Sequence, residues 1–166
     1  MTALTVWQYD TPFGAEAGAV RLRSLEERRI LTAHDAITVA WMPRAREPVI
    51  AHLHHSAGAR VAKGSILGGL VGIVLLAPVA GAVAGAGVAS AVTRLGRSGI
   101  DKHLVQEMSS RLRPGTSALV VLSSDADLND LRPAIERELQ RGDVVLLHTE
   151  LSADAPAAIQ EVIEDL

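Results

Sequence analysis

Residues 64–92, GSILGGLVGIVLLAPVAGAVAGAGVASAV, carry no charged side chain. Any fold open to this chain must keep that stretch from water: in lipid, in a core, or against another copy. A continuous helix of about 20 apolar residues crosses a bilayer. Here Pro78 divides the run, and a proline inside a helix removes a hydrogen bond and costs about 3 kcal/mol. As helices, the arms 64–77 and 79–93 would each reach only ~21–23 Å at ~1.5 Å per residue, short of the ~30 Å hydrocarbon core. A kinked single span and a hairpin of two short helices turning near Pro78 both fit.

The two arms differ. The first is greasy, with Leu70, Ile73, Leu75 and Leu76 as the expected apolar anchor leading into Pro78. The second is mostly Ala and Gly, which bury little apolar surface. Gly64, Gly68 and Gly72 recur at every fourth position, and so do Gly81, Gly85 and the small Ala89. That spacing lets helix backbones approach closely. Each glycine costs a helix roughly 1 kcal/mol relative to Ala, so these faces are expected to recover the loss by close packing. The partner would be the other arm, or the same arm of another subunit. Arg60 and Lys63 precede the stretch, and Arg94 and Arg97 follow it. Cations at both ends suit a hairpin whose ends lie on one side of a membrane; they also suit solvated helix ends. The rest of the chain looks too small to cover both arms, so burial within a single protomer is not expected.

Outside 58–97 the pattern reads as one α+β body formed by 1–57 and 98–166, all within a single domain of 166 residues. ALTVWQY (3–9), AITVAWM (36–42), VIAHLHH (49–55), TSALVVLSS (116–124) and DVVLLHTE (143–150) read as strands. Ala15, Gly18, Leu22 and Leu25 mark one helix face, and Ile100, Leu104, Met108 and Leu112 another. Leu128, Leu131, Ile135 and Leu139 mark a third. Leu151, Ala155, Ile159, Val162 and Leu166 mark an amphipathic C-terminal helix. The two strand–helix–strand units, 3–42 and 116–150, predict a ferredoxin-like sandwich with both helices on one face. The Gly/Ala-rich hairpin is then an insertion, and residues 49–55 pair back onto the second strand.

RPGTSALVVL (113–122), SGID (98–101) after the Gly/Ala-rich segment, and an opening strand followed by Phe13, Ala15 and Glu16 resemble a bacterial family, domain of unknown function 1269, usually labelled a membrane protein. The resemblance extends over nearly the whole chain. It implies a ferredoxin-like body with a glycine-rich hairpin, and it brings no catalytic residue with it.

Chemistry is weakly signalled. Cysteine is absent, which excludes disulfides, thiol catalysis and Cys-ligated metals. Sixteen basic against nineteen acidic residues and 2% aromatics give no nucleic-acid signature. His52 and His54 would share one face of a strand and could ligate a metal, with His34, Asp35 or His148 as a third ligand; solvent-facing histidines are the plainer reading. Gly85–Ser90 mimics a dinucleotide-binding turn but follows no strand. Asp125, Asp127 and Asp130 suit a helix start rather than a calcium loop. Ser123 and Ser124 lack a visible His–acid pair. The expectation is therefore a cytoplasmic, non-enzymatic protein without a cofactor, whose partner is itself, with the inner face of a membrane as the other surface available to the hairpin. An integral or re-entrant membrane protein and a metal- or small-ligand-binding module are the alternatives.

Overall fold

The structure is a computed structural model that describes residues 2–53, 65–80, 86–124 and 128–165, with backbone alone at 77–80, 86 and 128. Strands β1 (Thr2–Tyr9), β2 (Thr32–Ala40), β3 (Val49–His52), β4 (Ser117–Ser124) and β5 (Val144–Leu151) form one antiparallel sheet in the order β3-β2-β4-β1-β5. Among the described residues there are six α-helices: α1 (Gly14–Glu27), α2 (Ile66–Ala80), α3 (Ala86–Leu95), α4 (Lys102–Arg111), α5 (Leu128–Arg141) and α6 (Ala155–Glu164). The protein is therefore a mixed α+β fold.

The central strands explain why they read as nearly unbroken apolar runs. A strand sends alternate side chains to opposite faces, and here both faces are covered, so β1 and β4 are buried almost throughout. Trp7, Tyr9, Ala36, Leu119 and Val121 face a layer made by α1 and α5, where Ala15, Leu22, Leu25, Leu131 and Ile135 meet them. Leu4, Val6, Ile37, Val39, Val120 and Leu122 face the opposite layer. That layer contains α2, α4 and α6, with α3 packed on α2 and α6.

One expectation about the apolar stretch is corrected. Leu67, Leu70, Val71, Ile73 and Val74 are almost completely inaccessible and share one core with β1, β2 and β4, so the first arm is buried within the protomer after all. The sheet, α4, α6 and α3 do the covering. The sequence estimate allowed only one helical layer and left the second face of the sheet uncounted. Pro78 lies in the last turn of α2, which runs to Ala80. Proline in the last turn disrupts a single i→i−4 bond, and it does so where the helix is about to end. The connection to α3 lies in 81–85, outside the described residues.

Candidate functional site

Ser65 begins α2 by accepting a 2.9 Å hydrogen bond from the Gly68 amide at its hydroxyl, the geometry of an N-cap. From there the helix presents different faces. Leu70 and Ile73 point into the sheet-side core, Leu75 is half-buried against it, and Leu76 is 50% exposed. Gly68 and Gly72 are half-buried. A Cβ at Gly68 would meet only the Ser65 hydroxyl at 3.2 Å and the His52 ring at 3.8 Å, and one at Gly72 would meet nothing within 4 Å. Within the protomer these two glycines therefore bring no helix backbone close.

The close approach is made one residue away. A Cβ at Gly69 would collide with the Ile163 side chain, its Cγ1 at 2.6 Å and Cγ2 at 2.9 Å. Helix α6 thus seats on α2 at Gly69. The sequence signal was the Gly68-Gly69 pair, which a search for every-fourth-residue glycines passes over. Gly14 and Gly18 of α1 carry the same spacing, and the Tyr9 ring lies against both. Gly64, Gly81 and Gly85 lie outside the described residues, as do Arg60 and Lys63, and of Pro78 only the backbone is described. Ala89 is exposed on α3.

Arg94, at the end of α3, pairs with Asp165 at 2.7 Å and with Glu161 at 3.5 Å across to α6. The hydrogen bond to Asp165 raises its already high pKa. Arg97 is exposed. The basic residues described after the stretch therefore divide: one ties α3 to the C-terminal helix, and the other faces solvent.

The segments that carried the family resemblance hold structure together. The Ser117 hydroxyl donates to the Thr11 carbonyl at 2.6 Å and accepts from the Ala15 amide at 3.0 Å. Phe13, at the N-cap of α1, supplies no side-chain cap, so Ser117 does this from a distant strand. Gly115, with φ of 91°, donates its amide to the Trp41 carbonyl at 2.7 Å, a conformation that favours glycine. The Pro-Gly-Thr-Ser turn thereby ties the end of β2, the start of β4 and the start of α1. In SGID, the Ser98 hydroxyl donates to the Leu95 carbonyl at 2.6 Å and Asp101 caps α4 through the Leu104 amide at 2.8 Å. The Thr149 hydroxyl donates to the Gly99 carbonyl at 2.9 Å.

The histidines are scattered. His52 is exposed at the end of β3, in register with Ile37, and His54 lies outside the described residues. His34 sits at a β-bulge in β2 and hydrogen-bonds Ser124 at 2.8 Å. His148 hydrogen-bonds the buried Thr5 at 2.9 Å, and burial lowers its pKa below 6.5. Among the described residues no three His, Asp or Glu side chains converge as a metal site. No described helix is long and apolar enough to cross a membrane; α2, at 15 residues, reaches about 22 Å.

Among the described residues, one row of α2 has nothing packed on it. Gly68, Gly72 and Leu76 lie in one row of α2. Ile50 and His52 point to the same side of the sheet as Ile37 and Val39, their register partners. The His52 ring reaches Gly68, so the sheet edge and the helix row are contiguous there.

Comparison with known proteins matches residues 61–164 to the family described as "Protein of unknown function (DUF1269)", and the chain belongs to that family. The match takes in the apolar stretch, SGID and PGTSAL but leaves out β1, α1, β2 and β3. No curated protein and no solved structure matches the chain.

Proposed function

We propose that this is a non-enzymatic, self-assembling protein that associates through the outward face of α2 and α3. The observation that supports the reading is the contrast between neighbouring glycines: Gly69 is filled by Ile163, whereas Gly72, one turn from Gly68 and in line with the half-exposed Leu76, meets no described atom within 4 Å of a Cβ. A small-residue row beside an exposed leucine permits close approach of a second helix. In a homo-oligomer the same row from a symmetry-related copy is its natural complement. Gly87 of α3 also has no described atom within 4 Å of a Cβ.

The body is read as ferredoxin-like. The order β2-β4-β1-β5, with α1 and α5 on one face, supports this, and β3 extends the sheet by one strand. The apolar helices form the second layer of a single domain, placed in the cytoplasm. Membrane association remains the rival reading, favoured by the same apolar face at Leu76. Sedimentation of Gly68→Leu/Gly72→Leu in detergent-free buffer tests the choice. Self-assembly through this row requires the variant to sediment as a smaller species than wild type, and an unchanged sedimentation coefficient would rule the row out as the interface.

A further inference from the structure

On the opposite side of the sheet, α1 and α5 leave a cleft with two adjoining cavities of about 250 and 350 Å³. Small residues open it: Ala17 and Ser24 on α1, and Ala134 on α5. Long cationic arms line it. Arg21 and Arg28 come from α1 and its C-cap, and Arg137 comes from α5. Glu138 is the one carboxylate in the lining, and Arg21 pairs with it. Arg28 and Arg137 are exposed and form no ion pair with a described residue. Two guanidinium groups, from the C-cap of α1 and from α5, thus face one cavity without an ion pair to a described residue. Behind the Arg21–Glu138 pair, the Tyr9 hydroxyl is buried without a hydrogen-bond partner. Both charges act on its acidity, and burial pushes it up to about 12.

Guanidinium forks match phosphate geometry with paired, charge-assisted hydrogen bonds. Two uncompensated forks suit a dianion. Glu138 would repel a bare anion, but it can accept a hydrogen bond from a hydroxyl carried by the same ligand. The cavities fall at the small end of ligand-site volumes. We infer that the α1–α5 cleft binds a compact organophosphate of sugar-phosphate size, with Arg28 and Arg137 on the phosphate and Glu138 on a hydroxyl. This site is independent of the α2–α3 face and does not rest on self-assembly.

The test is an NMR titration of the full chain with ribose 5-phosphate and, separately, inorganic phosphate. Saturable shifts are expected at the amides of Ser24, Arg28, Ala134 and Glu138, with ribose 5-phosphate binding more tightly. Arg28→Ala/Arg137→Ala should weaken binding at least about tenfold. Arg23→Ala/Arg132→Ala removes the same charge from exposed positions outside the cleft and should leave binding unchanged. All four positions are exposed, and circular dichroism verifies that each variant is folded. Equal weakening in both double variants, or no saturable shift, would overturn the site. Equal affinity for the two ligands would overturn the organophosphate assignment.

Discussion

Gly69 and Gly72 are three residues apart on one helix, yet their surroundings demand opposite responses to the same substitution. A leucine at 69 must displace Ile163 and lift α6, and overpacking of this kind typically costs about 1–3 kcal/mol. Gly69→Leu should therefore lower stability to urea, whereas Gly72→Leu, with nothing within 4 Å, should leave protomer stability unchanged or raised. Ser117→Ala removes a buried cap on α1 and a bond to Thr11; the expected loss is about 1–2 kcal/mol in the same assay. His148 gives a pH signature. Its folded pKa is lowered below 6.5 because burial disfavours the imidazolium. The unfolded chain then binds more protons as pH falls below 6.5, so stability drops across the window between 6.5 and the lower folded value. His148→Gln should flatten that slope in urea titrations across the acid range. If the slopes of wild type and variant coincide, His148 carries no linkage.

The elements were readable wherever a single periodicity ruled. Ala15, Gly18, Leu22 and Leu25 are the buried face of α1, as the spacing predicts, and β1 and β4 follow their apolar runs. The apolar stretch was harder to place, because hydropathy says only that it avoids water. Composition alone could not separate lipid from a second face of the sheet, and the decisive partners, α4 and α6, come after it in sequence. Ser117 capping α1 could not be read locally either, since strand and helix start are about a hundred residues apart. Helix α6 is the element that completes the second layer, through Ala155, Ile159 and Val162 in the core and Ile163 on Gly69. A chain ending at Ser152 should therefore expose α2, bind a hydrophobic dye such as ANS and melt at lower temperature. Arg94→Ala breaks only surface ion pairs, to Asp165 and Glu161, and should leave the melting temperature unaltered. A fall matching that of the truncated chain would mean that α6 is held by charge rather than by packing.

At the scale of the whole molecule, two faces stand out among the described residues. One is the cationic α1–α5 cleft, and the other is the small-residue row of α2 with Leu76 beside it. Hydropathy pointed to the right helices for the second. It did not show that Leu67, Leu70, Val71, Ile73 and Val74 are spent inside the protomer. The direct test is the mass of the wild-type particle by light scattering, in buffer without detergent and again with it. Self-assembly through α2 and α3 predicts a discrete multiple of the 17.5 kDa chain, the same in both. A 17.5 kDa particle, or one recovered from the membrane fraction only with detergent, would refute it.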